Sequence, residues 1–554
     1  MPEPIPDLMP DLMPGVAARA ALPAAPPPRR SAPGAALLAA SSLAAVLVLL
    51  PVMVTLGQAA DAGWAVARAL LFRPLVATLL GNSLLLMLGA ATICGVAGTA
   101  AAWAVERTDL PGAGIWAALV VAPLAIPPFI TSYAWVSLDP ALEGFAGALL
   151  VVSVSYMPLV YLPVAAALRE LDPALEETAR ALGNGTLGNG ALGNGGWAVF
   201  RRVVLPQLRP ALLGGMLLVA LDVLVEFGAF ALLRFRSFTT TIYAAYRTGF
   251  SGAEPALLSV VLVLLCIACL AAEWLVRGKA RYGRVARGTR GKAVRHRLGR
   301  WRFVCAAGFA LLALLTLGLP LGMILYWLTQ PTDAATTVAG YTPGMLLRTS
   351  WVSIRLGLYG AGLTLALALP LGLLSARYHL PAVTLLERSA YLAQSIPGIV
   401  VALALVTLAV HVLRPLYQST LLLVIGYAIL FLPLALVNVR SGFMQAQARL
   451  EEVGRSLGLN RWQAVARIIL PLAGPGLGAA MSIVFIAVVT ELTATLLLAP
   501  TGMQTLATEI WANTATLAFA AAAPYAAALV ALSMAASWLL ARRFGAATVY
   551  SPRR

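Results

Sequence analysis

Acidic side chains are scarce in the apolar runs of this chain, and three of them recur in a pattern. Asp222 and Glu226 stand one helical turn apart, and Glu491 occupies the place of Glu226 in a second copy of the same stretch. Ala487 stands where the counterpart of Asp222 would be. Charged groups inside membrane spans are costly, and they mark either a pathway or a buried pair. Carboxylates meeting near a two-fold axis would suit passage of a hard cation. The alternative is structural: Glu226 and Glu491 hydrogen-bond to neighbouring helices, with Arg355 as an available partner. Pro127 and Pro397, each preceded by Ile, mark matching kinks that are candidates for the same pathway.

Other chemistry is missing from the sequence. No GxxxxGK[ST] run is present, so no phosphate cradle of that kind is expected. No HExxH, triad or zinc-ligand spacing occurs, and His296, His379 and His411 are scattered. Cys266 and Cys269 form a CxxC inside an apolar run with no second pair nearby, which reads as buried thiols. No metal ligand set is assigned, and the chain is not expected to be an enzyme.

The elements that must position the acids are written twice. Glu451-Glu452-Val453-Gly454 leads to Gly458 and, 13 residues later, to Leu470-Pro471. The first copy runs Glu176-Glu177-Thr178-Ala179 to Gly183, and later to Leu205-Pro206. A pentapeptide beginning Leu-Gly-Asn-Gly or its equivalent is repeated three times between residues 182 and 196. Removing two copies puts Gly193 13 residues before Pro206 and brings Arg202 into register with Arg467. The ten extra residues are expected to loop out, since doubling a flexible loop costs only about 0.6 kcal/mol. In the second copy Leu450, Val453, Gly454 and Leu457 share one helical face. Gly458 suits a left-handed helix end, and Asn460 with Gln463 suits a capping box opening a second short helix.

Composition sets the surroundings. The 554 residues are 60% hydrophobic and 11% charged, with mean hydropathy +0.86, whereas soluble domains carry about a quarter charged residues. Apolar runs predict six spans at 36–57, 77–104, 115–136, 146–168, 210–233 and 255–276, then six at 303–328, 350–376, 390–413, 420–439, 473–498 and 520–541. Nothing alternates like a barrel strand, so helices are required. With the N-terminus in the cytoplasm, most of the 39 Lys and Arg fall on the cytoplasmic side. Residues 277–302 alone hold 11 of them and no acid. The formal charge of +17 is therefore a topology signal, with possible lipid contact at the linker, and not a nucleic-acid signature.

The expected fold is an all-α membrane protein: twelve transmembrane helices as two parallel six-helix repeats. The boundaries are a disordered cytoplasmic tail at 1–35, a first repeat at 36–276, a basic cytoplasmic linker at 277–302, a second repeat at 303–542, and a cytoplasmic tail at 543–554. The first apolar run is read as a retained signal anchor.

At the repeated loops the chain resembles the permease subunits of binding-protein-dependent ABC importers. Their signature is Glu-Ala-Ala, three residues, Gly, nine residues, then Ile-x-Leu-Pro. Glu452, Gly458, Ile468, Leu470 and Pro471 match it, with Val453 and Gly454 for the alanines. Glu177, Ala179, Val203, Leu205 and Pro206 match in the first copy. The resemblance implies the type I ABC importer permease fold, with coupling helices near 170–182 and 446–457 seated in two copies of a cytoplasmic ABC ATPase. It implies that ATP and Mg are bound by that partner and no cofactor by this chain. It also implies a periplasmic solute-binding protein and a bacterial inner membrane location with both termini cytoplasmic. Fused twelve-span permeases of this layout resemble ferric-iron importers most, with thiamine or phosphonate permeases as alternatives. An ion-coupled secondary transporter would share parallel halves, but the duplicated polar loop argues against it.

Overall fold

The computed structural model describes residues 33–171, 176, 199–249, 252–277, 295–331, 342–378, 380–446 and 448–544. The tails, most of the first polar loop with Glu177, Ala179, Gly183 and Gly193, most of the basic linker and His379 lie outside these residues. Among the described residues all regular elements are helices, apart from one isolated bridge between Thr108 and His296.

The first repeat runs α1 (Ala35–Asp61), α2 (Pro74–Arg107), α3 (Ala113–Val121), α4 (Pro128–Leu138), α5 (Phe145–Glu170), α6 (Leu205–Val225), α7 (Gly228–Leu232) and α8 (Ala253–Arg277). The second runs α9 (Trp301–Thr329), α10 (Pro343–Arg377), α11 (Pro381–Leu392), α12 (Gly398–His411), α13 (Thr420–Gln445), α14 (Ala448–Ser456), α15 (Arg461–Ala464), α16 (Leu470–Thr490), α17 (Thr493–Leu498) and α18 (Phe519–Phe544). Among the described residues ten helices are long and apolar enough to cross a membrane, or up to twelve if each of two bent pairs counts as one span.

Four of the expected straight spans are broken. The span expected at 115–136 turns by 92° between Ala125 and Pro128, and that at 390–413 turns by 105° between Ser395 and Gly398. Ile126 and Ile396 are extended, as a residue before proline prefers, and Pro127 and Pro397 offer no N–H to continue a helix. The spans expected at 210–233 and 473–498 stop at Glu226 and Glu491, whose backbones are also extended. A hydropathy run counts apolar residues and is blind to such breaks.

Within each repeat the helices approach closely at small residues. A Cβ on Gly215 of α6 would lie 2.8 Å from the Val160 Cα of α5, and one on Gly476 of α16 would lie 2.7 Å from the Gly442 Cα of α13. The repeats also exchange their first helices. α1 packs on α10, α11 and α12 of the second repeat, where Gln58 donates to Thr407 at 2.8 Å. α9 packs on α4 of the first repeat as well as on α18. A shared cluster of Ile126, Phe129, Ile130 and Tyr133 with Leu492, Leu506, Ile510 and Tyr525 joins the halves. The Tyr133 hydroxyl donates to the Phe519 carbonyl across it, at 2.9 Å.

Candidate functional site

The second polar loop is two short helices set against each other. α14 ends in a Schellman turn: Leu459 N–H reaches the Gly454 carbonyl, Gly458 N–H reaches Arg455, and Gly458 adopts φ +93°. Asn460 and Gln463 then form a reciprocal capping box, each side-chain oxygen accepting the other's backbone N–H at 3.0 and 2.8 Å. Gly454 is the hinge of the packing. A Cβ there would lie 2.5 Å from Ile468 Cδ1, so any side chain at this position requires the end of Ile468 to move.

Among the described residues the apolar face of α14 and the Leu457 that follows it are left uncovered. Gly454 is buried, but Leu450 is 39%, Val453 53% and Leu457 80% exposed. Glu451 is half-buried, and its charge acts on Arg377 at the end of α10, whose guanidinium donates to the Ala446 carbonyl at 2.8 Å.

The first loop is anchored in the same manner. Arg107, at the end of α2 and 1% exposed, donates to the Leu168 carbonyl at 3.1 Å and pairs with the buried Glu176 at 3.2 Å. Both loops return to the membrane through a π-helical turn, Phe200–Val204 and Val465–Ile469, directly before Leu205-Pro206 and Leu470-Pro471. Proline cannot donate to the carbonyl four residues back, and its ring crowds that carbonyl, so the ladder widens there. The carbonyls concerned belong to Arg202 and Arg467, which the sequence alignment of the two loops had paired.

The midspan acids stand at the two remaining breaks. Ala229 N–H donates to Glu226 Oε1 at 2.8 Å, and Ala494 N–H donates to Glu491 Oε1 at 2.9 Å. Each carboxylate therefore caps the short helix that follows it, α7 or α17, in the manner of an N-cap. Each carbonyl is held too, Glu226 by Thr239 at 2.6 Å and Glu491 by Thr495 at 2.7 Å. The halves differ in detail: Thr239 lies 13 residues from Glu226 and Thr495 only four from Glu491, and Tyr156 of α5 donates to Glu226 Oε2 at 2.7 Å, whereas Tyr427 of α13 meets Thr495. Arg355 is exposed and is not the partner of either acid.

These breaks meet the proline kinks at the boundary between the repeats. A Cβ on Gly228 would touch Leu492 and Phe129, both at 2.9 Å, and one on Gly398 would lie 3.5 Å from Glu491 Oε1. Asp222 is half-buried one turn before Glu226. Among the described residues no three His, Cys, Asp or Glu side chains converge as a metal ligand set would. Asp222, Glu226 and Glu491 thus do not form a chelate in this conformation. Sequence reading found the acids and prolines but not Tyr156, Thr239 or Thr495, since hydroxyl residues in apolar runs carry no periodic signal.

Comparison with known proteins follows the same twofold layout. The family described as the binding-protein-dependent transport system inner membrane component matches residues 95–278 and again 368–544. The Fe(3+)-transport system permease protein FbpB 2 of Haemophilus influenzae is 36% identical over 486 residues, covering 87% of this chain and 93% of that protein. The sulfate transport system permease protein CysT of Salmonella typhimurium is 32% identical over 219 residues, 36% of this chain and 75% of that protein. The molybdenum transport system permease protein ModB of Escherichia coli is 28% identical over 209 residues, 33% of this chain and 86% of that protein.

Proposed function

The chain belongs to the family of binding-protein-dependent transport inner membrane components, and from that premise we propose that it is the membrane permease of an ATP-driven importer for ferric iron. The chain is a multi-pass permease and not an enzyme. The observation that carries the coupling is the exposed apolar face of α14, on a helix closed by a Schellman turn and followed by a capping box. An exposed Leu457, Val453 and Leu450 on a rigid, capped knob is a surface built to be covered by another protein.

In this reading two copies of a cytoplasmic ATPase take the two loops, each gripping one. ATP and Mg are held there, and the permease binds no nucleotide. Closure of the ATPases moves the loops, and the π turns pass that motion to α6 and α16. Those helices end at Glu226 and Glu491, so a push on the loops arrives at the crossing of the two repeats. A periplasmic binding protein delivers the solute, and both chain termini lie in the cytoplasm, a placement supported by the excess of Lys and Arg it puts on that side.

Iron is favoured because the full-length fused relative is named for Fe(3+). Asp222, Glu226 and Glu491 support it, since carboxylate charge at the crossing lowers the cost of moving a hard cation through low dielectric. Purified complex in vesicles, with its ATPase subunits and binding protein, is expected to accumulate labelled ferric iron only with ATP inside the reach of the ATPases. Accumulation of labelled sulfate, molybdate or thiamine in place of iron would overturn the substrate assignment while leaving the coupling intact.

A further inference from the structure

The segment that joins the two repeats re-enters the described structure as Arg295-His296-Arg297-Leu298, and it does so against the first loop. His296 N–H donates to the Arg107 carbonyl at 2.8 Å, Asp109 N–H donates to the His296 carbonyl at 3.1 Å, and Leu298 N–H donates to Asp109 Oδ1 at 2.7 Å. The backbone is thereby tied to the end of α2 at three points. The His296 ring stacks on Trp103, with centroids 5.7 Å apart and planes inclined by 19°. Its Nε2 lies 4.0 Å from Glu176 Oε2, while Arg107 pairs with the other oxygen, Oε1. Trp103 in turn meets Phe200 edge-on at 5.0 Å.

Glu176 stands at the entrance of the first polar loop and Phe200 at its exit. One node of Trp103, Arg107 and His296 therefore touches both ends. The second loop differs among the described residues: Arg377 repeats Arg107, but Leu373 stands at the position of Trp103, and no described segment from outside the second repeat bonds to the end of α10 as His296 does to that of α2.

We infer that residues 295–298 are a positioning element for the first coupling loop, so that the linker between the repeats sets how stiffly one of the two handles transmits motion. The inference rests on the reading of the loops as coupling elements. Its consequence is mechanical asymmetry: the first handle is braced by a segment from outside its own repeat, and among the described residues the second has no such brace.

The test uses the full chain with Asp109→Ala, Asp109→Asn and His296→Ala. Asn keeps an oxygen for the Leu298 N–H, so Asp109→Asn is expected to behave as the parent protein. Hydrogen exchange is read first on the purified chain without partners. Peptides spanning 172–198 are expected to exchange at least tenfold faster in Asp109→Ala and His296→Ala, with 447–464 unchanged. In vesicles containing the ATPase subunits, the same two variants are expected to import several-fold fewer solute molecules per ATP at equal complex content. Unchanged exchange at 172–198, or equal acceleration in both loops, overturns the positioning role. A parent protein that shows no ATP-driven transport overturns the coupling reading instead, and the exchange measurement still decides the positioning role on its own.

Discussion

A carboxylate at the end of a transmembrane helix has to be satisfied by something, and Glu226 and Glu491 are satisfied by the backbone they cap. Glutamine keeps the accepting oxygen but removes the charge, so it separates the two roles. Glu226→Gln combined with Glu491→Gln is expected to assemble normally and to lower iron uptake at least tenfold. Full uptake by that double variant would remove the acids from the pathway. Alanine at either position loses the cap itself, costing about 1 kcal/mol or more and lowering thermal stability as well. Gly454 tests packing at the same scale. Gly454→Ala drives a methyl into Ile468 and is expected to cost about 1–3 kcal/mol in the loop. ATPase binding would weaken in that variant, and adding Ile468→Ala would restore much of it. Failure of that rescue would show that Ile468 is not the obstacle.

The short helices of the second loop were legible residue by residue, because capping and left-handed turns are written in side chains three or four apart. Asn460 with Gln463, and Gly458, stand in the roles their chemistry dictates. The burial of the α14 face was not legible: an amphipathic pattern shows which residues share a side, but not whether the chain covers it. That exposed side makes a sharp prediction. Leu457→Asp and Val453→Asp are expected to leave the purified permease folded, with an unchanged melting temperature, and to abolish retention of the ATPase in pull-down. An ATPase that stays bound would mean that this face is not the contact. The breaks in the spans were half legible, since Pro127 and Pro397 announce a kink but not a turn of 92° or 105°. At Glu226 and Glu491 nothing announces the break, because the carboxylate that makes it is read from sequence as a charge rather than as a cap. Deleting Leu187–Gly196, two of the three pentapeptide copies, is expected to leave uptake within twofold, and complete loss of transport would refute the view that they loop out.

For the whole molecule, the count of repeats and their parallel relation followed from hydropathy and from the two polar loops. The packing of α1 and α9 on the opposite repeat did not, because both helices are largely apolar and a lone polar residue such as Gln58 does not name the neighbour it meets. The solute was least legible: thiamine and phosphonate stood beside ferric iron in the sequence reading, while the half-length relatives are named for sulfate and molybdenum. Joining two repeats in one chain fixes their pairing and lets the halves diverge, as Tyr156 and Asp222 have done on one side alone. What the molecule is for depends on one coupling, between nucleotide hydrolysis outside this chain and solute passage within it. The most direct measurement is uptake of labelled ferric iron into vesicles carrying the permease, its ATPase and its binding protein, followed with and without ATP. The account predicts uptake that requires ATP, persists when ion gradients are collapsed, and vanishes with Leu457→Asp. Uptake that follows an ion gradient and ignores ATP would contradict it.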